Sequence, residues 1–212
     1  MRAAIVSGAP HTVLDPEDFL GDGFYIIGAD RGALTLLEHG IIPHLAVGDF
    51  DSVTKAQLGM IRQSCKETIL LSPEKDETDT EIALSHALKL QASEIFLYGG
   101  LGGRMDHSIA NIRLLLRYAK KGALIHLVER QNHLTVLSPG TYPMKRLKHK
   151  YLSFFAMERD VFGLTLTGVK YPLIGKTLQQ QDTLCISNEV LGETFSIEFL
   201  EGYVLMVQSS DC

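Results

Sequence analysis

Six of the aspartates in the first half of the chain stand just beyond short apolar runs, where strands would end. Asp30 follows Phe24–Gly28. Asp49 and Asp51 follow Leu45–Gly48 in Gly48-Asp49-Phe50-Asp51-Ser52. Asp76 and Asp79 follow Thr68–Leu71 in Lys75-Asp76-Glu77-Thr78-Asp79-Thr80-Glu81, and Asp106 follows Glu94–Tyr98 after a glycine loop. An acid at a helix start ordinarily caps free N–H groups and complements the helix dipole. Thr78 with Glu81 has the spacing of a capping box. Asp51 or Ser52 suits a helix from Lys55, and Asp106 suits one from His107. One cap per helix leaves Asp49 and Asp76 without a structural task. In extended chain Asp49 and Asp51 point the same way, and two carboxylates facing together repel unless a proton or cation lies between them. A hard cation with oxygen ligands, Mg²⁺ above all, beside substrate phosphates is the expected occupant.

The glycine loop points the same way. Gly99, Gly100, Gly102 and Gly103 let backbone N–H groups approach an anion, and Arg104 adds a bidentate partner for phosphate oxygens. The loop matches neither common phosphate motif. Met105 stands where G-x-G-x-x-G needs its third glycine, and the one near miss to a Walker A, Gly163 to Lys170, falls in the later half. His107, beside Asp106, either supports a helix start or touches ligand. The histidines show no H-E-x-x-H spacing, and there is no G-x-S-x-G nucleophile elbow.

The elements that must carry these residues follow from periodicity. Strands are expected at Ala3–Val6, Phe24–Gly28, Leu45–Gly48, Thr68–Leu71, Glu94–Tyr98 and Leu124–Val128. Helices are expected at Gly32–His39, Lys55–Ser64, Asp79–Leu90 and His107–Lys121. In the last of these, Ile109, Ile112, Leu115, Leu116 and Ala119 form the core-facing stripe. The alternation implies a mostly parallel sheet covered on both faces, with ligands beyond the carboxyl ends of the strands. From about residue 130 the segments become short and β-rich: Leu134–Leu137, Tyr151–Met157, Leu164–Thr167, Thr183–Ile186, Thr194–Phe199 and Tyr203–Val207. The expected architecture is an α/β domain over residues 1–128 and an all-β antiparallel sandwich over 132–212.

Composition narrows the function classes. With 212 residues, 45% hydrophobic and 21% charged, the chain can bury a sizeable core. A net charge of −5 argues against nucleic acid as a partner. The basic run Lys145–Lys150 reads as a solvated loop. Cys65, Cys185 and Cys212 are sparse and odd in number, which fits a reducing compartment, and no apolar run is long enough to span a bilayer. The expectation is a cytoplasmic protein without a membrane partner.

The ordered set Gly28-Ala29-Asp30-Arg31-Gly32-Ala33, Gly40-Ile41-Ile42-Pro43, Gly48-Asp49-Phe50-Asp51-Ser52, Asp76-x-x-Asp79 and Gly102-Gly103-Arg104-Met105-Asp106-His107 resembles the thiamine pyrophosphokinase family. Gly168-Val169-Lys170-Tyr171-Pro172-Leu173 and Ile186-Ser187-Asn188-Glu189 resemble its thiamine-binding segment. The resemblance runs from about residue 26 to 207. It implies transfer of the β,γ-diphosphoryl group of ATP to the hydroxyl of thiamine, releasing AMP, by a homodimer whose sites are shared between chains. Asp49, Asp51, Asp76 and Asp79 would hold Mg²⁺ and the polyphosphate, with Arg104 and Asp106 on the same catalytic rim. Asp30, Arg31, Thr78, Gly100, Gly102 and Gly103 would meet ATP. Tyr171, Ser187 and Asn188 would meet thiamine. Asp76 or Asp79 would orient the hydroxyl. Arg31 departs from many relatives, which carry glycine there, and Tyr171 from some, which carry tryptophan. The rival readings are a Mg²⁺-dependent phosphohydrolase and a non-catalytic nucleotide sensor.

Overall fold

The apolar runs of the first half form the strands β1 (Arg2–Val6), β2 (Phe24–Ala29), β3 (Leu45–Gly48), β4 (Glu67–Leu70), β5 (Glu94–Tyr98) and β6 (Leu124–Val128). Between them lie α1 (Arg31–Glu38), α2 (Lys55–Ser64), α3 (Asp79–Lys89) and α4 (Met105–Ala119). The computed structural model describes residues 1–10, 12, 14, 15, 19 and 23–211, so Cys212 lies outside the described residues. The chain divides into two units, Met1–Leu114 with Ile125–Glu129, and Leu115–Leu124 with Arg130–Cys212.

In the first unit the strand order is β4-β3-β2-β1-β5-β6. β1 pairs in parallel with β2 and β5, β2 with β3, and β3 with β4. The chain therefore winds outward from β1 to β4 and then crosses to β5 on the other side of β1. The reversal opens a crevice at the carboxyl ends of β1 and β5, the usual ligand position in such sheets. Ala3, Ala4, Ile5 and Val6 of β1 are at most 1% exposed, as expected of a strand covered on both faces. Gly32 allows α1 to start against β1, because a Cβ there would collide with the Val6 carbonyl.

Helix starts differ from expectation in an instructive way. α2 is capped by Thr54, whose hydroxyl accepts the Gln57 N–H at 3.3 Å, while the Gln57 side chain accepts the Thr54 N–H at 2.8 Å. Asp51 and Ser52 are thereby released from capping. α3 is capped by Thr78, which accepts the Glu81 N–H at 3.2 Å. In α4 the inward positions are Ser108, Asn111, Leu114, Leu115, Tyr118 and Ala119, whereas Ile109 is 47% exposed. The apolar stripe is thus rotated from the one that Ile109 and Ile112 suggested, because two polar residues of the inner face serve the glycine loop.

The second unit is antiparallel. It contains β7 (Asn132–Leu137), β8 (Gly140–Lys145), β9 (Tyr151–Thr167), β10 (Leu173–Leu178), β11 (Asn188–Glu189), β12 (Thr194–Phe199) and β13 (Glu201–Ser209). The order is β7-β13-β9-β12-β8, with β10 and β11 also on β9. The two strands expected at Tyr151–Met157 and Leu164–Thr167 are one 17-residue strand. Its first stretch pairs with β13 and β11 and its second with β12 and β10. One core, including Phe154, Leu164, Leu166, Phe195, Ile197 and Met206, lies among these strands. Thr183–Ile186 forms no strand; the pairing falls instead at Asn188–Glu189. The basic run after β8 is mostly exposed apart from His149. Among the described residues no helix is long and apolar enough to cross a membrane.

Candidate active site

Five strand exits of the first unit line one cleft of about 570 Å³. β1 contributes Ser7 to Pro10, β2 Ala29 and Asp30, and β3 Ser52. β4 contributes residues between Pro73 and Thr80, and β5 residues between Gly99 and Arg104. His107 and Asn111 of α4 complete the wall.

Asp30 occupies the N-cap position of α1 with φ 49° and ψ −123° and makes no capping bond. Such a backbone is costly for a residue with a side chain and is retained where the surroundings fix it. Its Oδ2 accepts the Ser52 hydroxyl at 2.5 Å, and its buried Oδ1 has no hydrogen-bond partner among the described residues. One carboxylate oxygen each from Asp30, Asp49 and Asp79 lie within 4.8 Å of one another. An all-oxygen set with an orphaned acceptor suits a hard divalent cation.

Lys75 reaches into this group. Its Nζ lies 3.1 Å from Asp49 Oδ2 and 3.1 Å from Asp79 Oδ1, and it donates to the Ser72 carbonyl at 3.2 Å. Burial pushes the Asp49 carboxyl up, but the Asp51 N–H and the Lys75 ammonium outweigh it and hold the group below the ordinary aspartate value. At Asp79 burial wins over the same ammonium, and the group titrates above its ordinary value. Burial favours neutral Lys75, yet its hydrogen bonds to the two acids keep it charged to higher pH than usual.

Asp51 and Asp76 are exposed and lie outside the converging trio. The extended spacing expected for Asp49 and Asp51 is broken by Phe50, whose φ is 58°. The chain turns there, so the Asp51 backbone N–H, at 3.2 Å, meets Asp49 Oδ1 in place of a parallel carboxylate. Arg31, the first residue of α1, is exposed beside Gly8 of the cleft. Arg104 forms a fork with Asp106, Nη2 to Oδ2 at 2.5 Å and Nε to Oδ1 at 3.1 Å, with both side chains mostly exposed. Pairs this open exchange partners at little cost.

The glycine loop is held from behind. Leu101 donates its N–H to Glu129 Oε1 at 3.1 Å, and the N–H groups of Gly99 and Gly100 also act on that carboxylate. Asn111 donates to the Gly100 carbonyl at 2.7 Å. Gly99, at φ +66°, has no room for a Cβ, which would fall 2.5 Å from the Ser7 carbonyl oxygen. Part of the loop's donor set thus faces an internal anion, and Gly100, Gly102 and Gly103 present the rest of the loop to the cleft. Burial is the larger influence on Glu129 and leaves its carboxyl above the ordinary glutamate value despite those donors.

In the second unit Tyr171 is 61% exposed, with the Lys170 ammonium 5.6 Å from its ring centroid. Ser187 is exposed, adopts φ 58°, and donates its N–H to Ser153 Oγ at 3.0 Å. Asn188 is only 4% exposed. Its amide accepts the Tyr171 N–H at 3.0 Å and donates to the Tyr171 carbonyl at 2.9 Å. Cys65 and Cys185 are buried, and burial pushes each thiol up to about 11, which removes them as nucleophiles.

Sequence reasoning missed Lys75, Ser7, Asn111 and Glu129. Ser7 closes the end of β1 and shares a 2.8 Å hydrogen bond with Thr80. A signal existed for Asn111, an amide one turn from Ser108 on a helix face that is otherwise apolar.

Residues 18–127 match the thiamin pyrophosphokinase catalytic domain, and residues 141–204 match the thiamin pyrophosphokinase vitamin B1 binding domain. The thiamine pyrophosphokinase of Bacillus subtilis is 38% identical over 209 residues, 98% of each chain. The chain belongs to the thiamin pyrophosphokinase family. The crystal structure of the Bacillus subtilis thiamine pyrophosphokinase covers all of both chains with a TM-score of 0.94 and 36% identity. That of the Geobacillus thermodenitrificans thiamin pyrophosphokinase covers all of this chain and 98% of its own, with a TM-score of 0.90 and 40% identity. The family's catalytic-domain match contains Asp30, Asp49, Asp79, Arg104 and Asp106, and its vitamin B1 match contains Tyr171, Ser187 and Asn188.

Proposed function

We propose how this chain, a thiamine pyrophosphokinase, divides its work. Residues 1–128 bind ATP and carry the chemistry, and residues 132–212 receive thiamine. The observation that carries this reading is the convergence of Asp30, Asp49 and Asp79 at the switch-point cleft, beside a glycine loop and an exchangeable arginine.

The reaction joins the thiamine hydroxyl oxygen to the β-phosphorus of ATP. The bond from that phosphorus to the oxygen shared with the α-phosphate breaks, and AMP leaves. In-line placement and charge neutralisation govern such a step more than a strong base does. Asp30, Asp49 and Asp79 would hold Mg²⁺, with the exposed Asp51 and Asp76 adding to the negative rim. The ion, when bound, supplies neutralising charge to the phosphoryl oxygens and to the leaving AMP. Arg104 turns from Asp106 to the phosphoryl oxygens. Gly100, Gly102 and Gly103 allow close approach of the polyphosphate, with Arg31 and Thr78 at its margins. An acid of the β4 exit, Asp76 or Asp79, orients the hydroxyl. Tyr171 offers an aromatic face to the thiamine cation, and Ser187 offers a hydroxyl. The buried Asn188 acts by fixing the backbone of Tyr171.

Incubation with Mg-ATP, with and without thiamine, tests the reaction. AMP and thiamine diphosphate formed only with thiamine support it. Thiamine-independent phosphate release supports a phosphohydrolase, and no turnover supports a sensor. The sparse, buried thiols support a cytoplasmic setting. The family resemblance supports a homodimer with sites shared between chains. Mixing Asp49→Asn chains with Ser187→Ala chains then restores roughly a quarter of wild-type activity, since half of random dimers are mixed and each has one intact site of two. Verified subunit exchange without recovery refutes the shared site.

A further inference from the structure

Lys75 makes its contacts with two of the three carboxylates that a divalent cation would recruit. The ammonium sits 3.1 Å from both Asp49 and Asp79, and its side chain is only 15% exposed. The cluster holds three carboxylates and one ammonium that reaches two of them, so the group keeps an excess of negative charge, and Asp30 Oδ1 remains unpartnered among the described residues. A doubly charged ion that takes oxygens from Asp49 and Asp79 cannot share them with a hydrogen-bonded ammonium, because the two cations repel and compete for the same lone pairs. Lys75 lies on the segment from Pro73 to Thr80 that walls the cleft, and its flexible stem has room there to move.

We propose that Lys75 is an exchangeable internal counter-ion. It occupies the cation seat in the empty protein, and it swings to the polyphosphate of ATP when metal and nucleotide enter. The proposal rests on the reading of Asp30, Asp49 and Asp79 as the cation seat. It makes metal and nucleotide binding mutually reinforcing: the metal frees the ammonium, and the phosphates give the freed ammonium a partner. Lys75 is a binding and positioning residue on this account, and no proton need leave it.

The test uses Mn²⁺ as the probe, followed by loss of the free-ion paramagnetic resonance signal on titration into the full chain without nucleotide. Lys75→Met should bind Mn²⁺ about tenfold more tightly than wild type, whereas Lys75→Arg, which keeps the charge, should bind as wild type does. With Mn²⁺ present, α,β-methylene-ATP should bind Lys75→Met about tenfold more weakly than wild type, and Lys75→Arg should restore most of the loss. Equal Mn²⁺ affinity in wild type and Lys75→Met overturns the proposal and leaves the acid cluster standing. Unchanged nucleotide affinity overturns the transfer to phosphate. Absence of Mn²⁺ binding by every variant, with or without nucleotide, overturns the cation seat itself. A measurement on wild type avoids dependence on the folding of any variant. Excess Mg²⁺ alone should shift the side-chain Cε resonance of Lys75, and an unmoved resonance in a protein that binds the ion overturns the exchange.

Discussion

Replacing Glu129 separates the hydrogen-bond acceptor from the charge at the back of the glycine loop. Leu101 N–H meets its Oε1 at 3.1 Å, and the amides of Gly99 and Gly100 act on the same group. Glu129→Ala strands these donors. A hydrogen bond to a charged acceptor contributes about 1.5–3 kcal/mol net. Taking about 2 kcal/mol for Leu101 and roughly half a kcal/mol for each glycine amide, the loss of stability is about 3 kcal/mol. A loop displaced by an ångström costs on the order of a hundredfold in rate, so kcat/KM for ATP should fall about 10²-fold. Glu129→Gln keeps an acceptor and removes a charge whose burial is costly, so its stability should stay within about 1 kcal/mol of wild type. The pH dependence follows in sign. The carboxyl is raised in the folded protein, so its contribution is fully present below the ordinary glutamate value and is lost as pH rises through the folded value. The stability of wild type minus that of Glu129→Gln should therefore shrink as pH climbs across that window. Urea unfolding at several pH values, with steady-state kinetics in ATP, measures both effects. A difference that grows with pH, or a folded Glu129→Ala with kcat/KM for ATP within threefold of wild type, would refute the reasoning.

Asp49→Asn and Asp79→Asn should each lower turnover at least ~10²-fold at limiting Mg²⁺, while Asp51→Asn, outside the converging trio, should stay within about tenfold; the reverse ranking in steady-state assays removes the cluster from the chemistry. Tyr171→Ala and Ser187→Ala should raise KM for thiamine more than KM for ATP, and a defect seen with ATP alone moves thiamine elsewhere. Asn188→Ala should cost about 1–2 kcal/mol in urea unfolding, because it removes the partner of the half-buried Tyr171 N–H and carbonyl; an unchanged midpoint shows the clamp to be idle. Thr54→Ala should cost about 1 kcal/mol of stability in urea unfolding, as loss of a helix cap requires.

The parallel half was legible because most of its strands are short, largely apolar runs, and β3, β5 and β6 match their expected spans. The antiparallel half was less so. β10 is exposed along most of its length, which removes the alternation that marks a half-buried strand, and β8 alternates only between half-buried and exposed positions. The polar residues and Gly163 between Met157 and Leu164 divide the apolar pattern into two expected strands, yet β9 runs through them with a bulge. At the site, the positions of the acids were readable from strand exits, but their mutual orientation was not. The positive φ at Phe50 turns Asp51 away, and Asp30 joins the trio because Thr54, four residues beyond Phe50, relieves Ser52 of capping. Lys75 was hidden by its acidic neighbours, among which a lysine reads as surface charge. Glu129 was not legible, since nothing local to it announces a glycine loop 28 residues upstream in folded proximity.

β9 has a consequence for how the second unit opens. Glu158, at φ 67°, lies where the strand's pairing with β13 shifts register, and beyond it β12 and β10 join as partners. Opening one stretch leaves the other still paired and the continuous strand still anchored, so partial opening gains little entropy while it breaks long-range pairs. The amides of Phe154 to Ala156 and of Leu164 to Leu166 should therefore exchange with solvent only through global unfolding. The loop bearing Ser187 is moored to this strand through Ser153 and the Asn188–Leu152 pair. A ligand arriving there meets a surface already ordered, and little of its binding free energy is consumed in freezing the loop.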